Sequence, residues 1–353
     1  MLDAVYQFPL KGKPVSCEPY GEGHINRTYL VITDLDEWYI LQQINTRVFL
    51  DVAALMENIG NVTRHLARED SDPRRTLTIV PTKDGRDYYV DSAGEAFRMY
   101  IFVRDSLCLQ QPETPRDLYR SGQAFGRFQR QLADFPAHTL HETIVNFHNT
   151  PDRYRIFREA VGRDVKGRLL EVGPEVAFVM SREHRAGRLQ EMQRAGHLLT
   201  RVTHNDTKLN NVLLDATTRE ALCVIDLDTV MPGLAAHDFG DSIRFGASTA
   251  AEDEKDLEKV SMSLDLFETY AQGFLEGCGD SLNPHEIAAL PEGAWAMTLE
   301  CGVRFLTDYL MGDVYFRIHR PEHNLDRCRT QFKLVADMEH KWEQMAAIIA
   351  KLS

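Results

Sequence analysis

The sequence predicts an α+β protein of two lobes: a small N-terminal antiparallel sheet with one main helix, then a larger, mainly helical C-terminal lobe. Two observations predict it. The first hundred residues alternate β-rich runs with turn signals, whereas after Pro112 apolar residues recur at three- and four-residue intervals. At 353 residues the chain also exceeds what one ordinary core organises, and it can bury a large core without covalent staples.

In chain order, residues 28–32 and 38–44 are β-rich runs separated by the acidic turn 34–37, the pattern of a hairpin. Residues 77–82 and 88–90 flank the turn signal KDGR at 83–86, and SAGE at 92–95 leads into a run over 97–103. A meander of about five strands is expected. Between its halves, Val52, Leu55, Met56, Ile59, Val62 and Leu66 keep the spacing of one helical face. Beyond Pro112, Leu118, Gly122, Phe125, Phe128 and Leu132 do the same. So do Leu257, Val260, Leu264, Phe267, Ala271 and Phe274, with Gly277 past their end. The lobe boundary falls near residues 103–113, giving an N-terminal lobe over 1–103 and a C-terminal lobe over 104–353.

Charge and cysteines narrow the function classes. The 40 lysines and arginines face 53 aspartates and glutamates, and the net charge of −13 has the wrong sign for a general phosphate-backbone binder. Nucleic acid is not an expected partner, and nothing in the sequence indicates an obligatory protein partner. The six cysteines are scattered, with no CxxC pair and no short-spaced Cys/His cluster, so they read as reduced thiols. The start MLDAVYQFPLKGKPVS lacks the basic, apolar and small-residue regions of a signal peptide. No window of about 18 apolar residues occurs, so a cytoplasmic location with no membrane partner is expected.

The chemistry concentrates in THNDTKLNNVLLD at 203–215 and LCVIDLD at 222–228. Asp206, Lys208 and Asn211 are spaced DxKxxN and run into three apolar residues, then a polar turn, a second apolar run and Asp226. If 212–214 and 222–225 pair as a hairpin, Asp226 returns to the side of Asn211. Phosphoryl transfer needs such an arrangement, because its transition state is stabilised by positioning and by cations that neutralise phosphate oxygens. Mg²⁺ takes oxygen ligands, keeps several waters and is usually held by one or two carboxylates plus substrate phosphates. Asn211 and Asp226 supply such ligands, Asp206 can accept the proton of an attacking hydroxyl, and Lys208 can offset charge on the transferring group. Asp228 is a second metal ligand or a structural acid; the spacing does not decide.

HNDTKLNNVL resembles the catalytic loop HxDxKxxN of protein kinases and the HGDxxxxN loop of aminoglycoside phosphotransferase-like small-molecule kinases. The ID at 225–226 resembles their metal-binding strand end. Within that superfamily, PYGEGHIN (19–26), FHNTP (147–151), IDLDTVMPG (225–233), DFGDSIRFG (238–246) and RFLTDYL (304–310) look like the N-acetylhexosamine 1-kinases. The resemblance spans nearly the whole chain. It implies a two-lobed kinase-like fold and phosphorylation of GlcNAc or GalNAc at the anomeric hydroxyl, with ATP as co-substrate and Mg²⁺ as cofactor.

On the nucleotide side, Gly21 and Gly23 within GEGHIN would let backbone amides approach phosphates, with Asn26 closing the stretch; the same two glycines also suit an ordinary hairpin. His24 faces phosphate or sugar, or is a structural histidine. Protein kinases place a lysine on the third strand to hold phosphates, but here Gln42 or Gln43 stands there, which puts in doubt the usual lysine–glutamate pair and any role for Glu57. A glutamine then supports the phosphates, or Arg47 or another cation substitutes. The junction 98–103, Tyr100 within it, is the candidate for contacts to the adenine. Asn205 replaces the arginine that in many protein kinases serves a phosphorylated loop. Little peptide-docking sequence follows Asp226, which favours a small acceptor.

Asp238, Asp241, Arg244 and Phe245 are candidates for the acceptor pocket, with Phe147, His148, Asn149, Arg304, Tyr315 and His319 taken from the family-like stretches. Asp241 and Arg244 alternatively pair with each other as scaffold. Competing expectations are the same chemistry on another hexose, an amino alcohol or an aminoglycoside, and a non-catalytic nucleotide-binding protein.

Overall fold

A computed structural model describes residues 2–21, 25–70 and 72–353. Its strands are β1 (Pro14–Pro19), β2 (Arg27–Thr33), β3 (Trp38–Ile44), β4 (Tyr89–Val90), β5 (Ala96–Ile101), β6 (Ser106–Cys108), β7 (Arg201–Thr203), β8 (Val212–Asp215), β9 (Ala221–Val224) and β10 (Met231–Gly233). The helices are α1 (Leu2–Val5), α2 (Val52–Glu69), α3 (Pro115–Gln131), α4 (Thr150–Arg163), α5 (Gly173–Ala186), α6 (Arg188–Arg194), α7 (Ala235–Gly246), α8 (Leu264–Cys278), α9 (Pro284–Ala288), α10 (Leu290–Met311), α11 (His323–His340) and α12 (Trp342–Leu352). They form two compact units. The first comprises Met1–Cys108, Asp134–Val145 and Val212–Pro232; the second comprises Leu109–Ala133, Asn146–Asn211 and Gly233–Ser353.

In the first unit an antiparallel sheet runs in the order β1-β2-β3-β5-β4. The β2–β3 hairpin turns where the acidic residues predict it, with Asp36 in the left-handed region (φ 54°) and Thr33 N–H donating to the Glu37 carbonyl at 3.0 Å. Alternate residues of β2, β3 and β5 bury Tyr29, Val31, Tyr39, Leu41, Phe97 and Met99 against Ala4, Val5 and Phe8, while β5 also buries Arg98 and Tyr100 on its other face. Helix α2 begins at Asp51, whose carboxylate accepts from Ala54 N–H at 2.9 Å, and buries Leu55, Met56, Ile59, Val62 and Leu66. The run 77–82, expected as a strand, makes only an isolated bridge, Ile79 to Tyr100. Pro81 lacks the N–H that would continue the ladder.

A second antiparallel sheet, β6-β8-β9, belongs to the same unit. Asn58 of α2 ties two later loops of this unit to the helix: its Nδ2 donates to the carbonyls of His141 (2.8 Å) and Val230 (3.1 Å), and its Oδ1 accepts from His141 N–H (2.8 Å).

The second unit is helical. Helix α3 opens with a capping box between Thr114 and Asp117 and packs along α8. Gly122 and Gly126 of α3 face Gly273 and Gly277 of α8, so the two backbones nearly touch. Helix α10 is buried on almost every side by α4, α7 and α11, around Trp295, Phe157, Leu299, Leu306 and Phe332. Among the described residues no helix is long and apolar enough to cross a membrane.

Candidate active site

The loop after β7 is held by side chains from α3 and α7. His204 is fully buried, with Phe125 and Phe128 edge-on at 5.4 and 6.1 Å between ring centroids. Asp238 of α7 accepts from the backbone N–H of His204 (2.9 Å) and of Asn205 (2.8 Å), while Gln129 donates to it at 2.7 Å. One buried carboxylate thus satisfies two consecutive loop amides. Asp241 accepts from Thr207 N–H at 3.0 Å, and Ser242 donates to the Thr207 carbonyl at 2.6 Å. Asn205 sits in the left-handed region (φ 65°), which asparagine tolerates better than a branched or bulky residue. A substitution read in the sequence as the loss of an arginine is therefore also a backbone requirement.

This clamped loop presents Asp206, whose side chain is 29 % exposed. Lys208 Nζ lies 2.8 Å from its Oδ1, and Asn211 Nδ2 donates to its Oδ2 (3.1 Å) and its carbonyl (2.7 Å). Burial alone raises the Asp206 carboxyl, but the Lys208 charge and these hydrogen bonds outweigh it and hold it below its usual value of 3.8. Asp206, Lys208 and Asn211 therefore come together as their spacing predicts.

In the first unit, β8 and β9 pair with Val212 opposite Val224. Val212 directly follows Asn211, and Val224 stands two residues before Asp226. Asp226 occupies the left-handed region (φ 59°) and opens a 3-10 turn over Leu227–Thr229. Asp228, inside that turn, is buried, ion-paired with Arg98 and hydrogen-bonded by Asn26 Nδ2. Among the described residues no group of three or more His, Cys, Asp or Glu converges as a metal cage. Mg²⁺ needs no such cage: one or two carboxylate or amide oxygens suffice, because it draws its remaining ligands from phosphate and water.

The nucleotide candidates divide. Gly21 has φ 75° and nothing within 4 Å of where a Cβ would stand, so the turn there tolerates close approach. Gly23 and His24 lie outside the described residues. Gln42 is turned inward, accepting from Arg98 Nε at 2.9 Å and donating to Thr28 Oγ at 3.1 Å. Tyr100 is buried on β5, its hydroxyl held above its ordinary range by burial, with the Arg98 guanidinium 5.5 Å from its ring centroid.

The acceptor candidates divide too. Arg304 of α10 lies among the rings of Phe147, Tyr315 and Phe316, 5.6, 5.7 and 5.3 Å from their centroids, and Tyr315 is exposed. Asp308 fixes that aromatic loop by accepting from the backbone N–H groups of Val314, Tyr315 and Phe316. His148 is turned inward, with Nδ1 3.0 Å from Glu300 and Nε2 3.2 Å from the Asn205 carbonyl oxygen. Burial opposes the Glu300 charge, but His148, Arg153 and Arg304 bring its carboxyl down to about 2. Asp241 and Arg244 pair at 3.1 Å, and Arg244 reaches Glu252 at 2.7 Å, so both are spent on scaffold contacts under the loop. Sequence reasoning missed Glu300, the pairing of Arg98 with Asp228 and the anchoring work of Asp238. A lone arginine in the apolar run AFRMYI was the signal for Arg98.

An antiparallel sheet with one long helix, a carboxylate-bearing loop and a mainly helical second part make this the two-lobed, kinase-like fold. The profile of the phosphotransferase enzyme family matches residues 16–270, and the chain belongs to that family. It is similar to a microcompartment-associated aminopropanol kinase at 19 % identity and TM-score 0.68, over 98 % of this chain and 97 % of that one. An amicoumacin kinase in complex with AMP-PNP and Ca²⁺ matches at 13 % and 0.60, over 94 % and 92 %. A choline kinase from Cryptosporidium parvum matches at 14 % and 0.56, over 95 % and 92 %. At such identities the likeness is one of fold.

Proposed function

We propose that this phosphotransferase transfers the γ-phosphoryl group of ATP to the anomeric hydroxyl of an N-acetylhexosamine, GlcNAc or GalNAc. The observation that carries the chemistry is the Asp206 carboxylate, kept ionised by Lys208 and Asn211 on a loop whose amides are tied down by Asp238 and Asp241. Asp206 takes the proton from the acceptor hydroxyl as the hydroxyl oxygen attacks the γ-phosphorus and the bond to the β-phosphate oxygen breaks, so that ADP leaves; Lys208 offsets charge beside it. Asn211 and Asp226 are the residues that would hold Mg²⁺, which when bound neutralises phosphate oxygens. Gly21 and Gly23 are assigned to the phosphates and Tyr100 to the nucleotide side. The sugar is assigned to the Arg304–Tyr315 cluster and His24, with His148, Asp241 and Arg244 supporting from beneath.

The sugar reading is supported by the sequence resemblance and by the polar-aromatic character of that cluster. Through Phe147, whose ring centroid is 4.5 Å from that of His148, the cluster connects to the Asn205 carbonyl beside the base. Likeness to aminopropanol and choline kinases favours an amino alcohol as the second reading. ADP release with Mg²⁺ and ATP, run separately on GlcNAc, GalNAc, glucose, galactose, choline, aminopropanol and kanamycin, decides between them, with phosphorus NMR of the product. An anomeric phosphate from an N-acetylhexosamine is expected; turnover confined to an amine acceptor replaces the sugar assignment and leaves Asp206 in place.

A further inference from the structure

Strand β3 offers Gln42 where a phosphate-holding cation is expected, and the structure shows a cation one strand away. Gln42 pairs directly across the ladder with Arg98 of β5 and accepts its Nε. The Arg98 side chain is 1 % exposed and that of Asp228 4 %, and the two form an ion pair. The other oxygen of Asp228 receives Nδ2 of Asn26, and Oδ1 of Asn26 accepts from Asn45 N–H at 2.9 Å. A charge this deeply buried persists only when paired and hydrogen-bonded, so Arg98 and Asp228 require each other. Burial works against the Arg98 charge, yet Asp228, Tyr100 and Asp226 together hold it firmly protonated.

Arg98 is too enclosed to touch a nucleotide itself. A guanidinium against one oxygen of Asp228 also opposes a second cation on the same carboxylate. We infer that Asp228 is not a metal ligand but the hub of a buried Arg98–Asp228–Asn26 relay. This relay fixes the residue that closes the stretch 21–26 against the turn that begins at Asp226. Arg98, Asp228 and Asn26 are positioning residues: a single ion pair holds Asn26 and the turn that begins at Asp226 in register, work that a strand-three lysine would otherwise do by direct contact. The inference rests on the kinase reading above, through nucleotide binding alone and not through the acceptor.

The test reads nucleotide affinity and metal affinity separately, without turnover. ATP binding is measured by calorimetry at saturating Mg²⁺, and metal binding by titrating Mn²⁺ at saturating ATP with spin-resonance detection. Asn26→Ala, which leaves the ion pair intact, and Asp228→Asn are expected to weaken ATP binding about ten-fold, the scale of one charge-assisted hydrogen bond. Their Mn²⁺ midpoints stay within about two-fold of wild type, whereas Asp226→Asn moves its midpoint. Because Asp228→Asn strands a buried guanidinium, Arg98→Met combined with Asp228→Leu removes both charges and keeps the fold. That double variant is expected to bind ATP as weakly as Asn26→Ala. A Mn²⁺ midpoint displaced by Asp228→Asn as far as by Asp226→Asn overturns the inference, and so does wild-type ATP affinity in the double variant. A wild-type protein that binds no ATP overturns the kinase reading and this inference together.

Discussion

At the scale of single residues, opposing effects meet at Asp206. Burial pushes its carboxyl up, while Lys208 at 2.8 Å and Asn211 pull it down, and the second pull wins. A depressed carboxyl is charged above its folded value and loses that charge only as pH falls through it. The acid limb of kcat/KM therefore lies below the ordinary aspartate range, and turnover at neutral pH is insensitive to this group. Lys208→Met removes the largest opposition to burial and leaves only the weaker pulls, Asn211 among them. We expect its acid limb to move up toward neutral pH and its kcat at pH 7 to fall by about 10²–10³-fold, the scale of losing one preorganised charge partner. A pH–rate profile checks both, and an acid limb that stays put would remove Lys208 from the base's environment. The DxKxxN spacing made this triad legible in the sequence. The groups beneath it were less legible, because Asp238 binds the Asn205 amide from 33 residues away and Glu300 reaches the loop only through His148; nothing local marks a carboxylate with so distant a partner.

At the scale of elements, periodicity located α2 and α3, but α8 only from Leu264 onward: Leu257–Lys259 forms a separate 3-10 turn, Ser263 caps the helix start, and Gly277, expected past the end, lies inside the helix; nor did periodicity show what the helix faces do. On helix propensity, Gly126→Ala would stabilise α3 by about 1 kcal/mol. The packing predicts the opposite sign. A Cβ on Gly126 meets the backbone nitrogen of Cys278 at 2.8 Å, and one on Gly122 meets the Tyr270 carbonyl at 2.5 Å; main-chain atoms inside a packed helix cannot swing aside as a side-chain tip can. We expect Gly126→Ala to destabilise by about 1–3 kcal/mol or more, read as a lower urea midpoint at an unchanged m-value. A raised midpoint would contradict the close approach of α3 and α8. The run 77–82 shows the converse limit: its apolar, β-branched composition promised a strand, and one proline confined it to a bridge.

At the scale of the whole molecule, the sequence led us to divide the chain near residues 103–113, whereas the first unit keeps residues 1–108 and recruits 134–145 and 212–232. The tie is physical. A single amide, Asn58, bonds His141 and Val230, 83 and 172 residues further on, and such pairings leave no periodic trace. The kinase-like fold was legible because its catalytic loop is contiguous in sequence. The Arg304 cluster proposed above for the acceptor was legible only through its family-like stretches, because its members come from α10, the 314–316 loop and Phe147, far apart in sequence. The claim on which everything else depends is that Asp206 is the base, and Asp206→Asn tests it most directly, with Mg²⁺·ATP affinity measured by calorimetry beside single-turnover phosphoryl transfer to GlcNAc. The account predicts affinity within about two-fold of wild type and transfer slowed by about 10³-fold or more; transfer at a near-wild-type rate would contradict it.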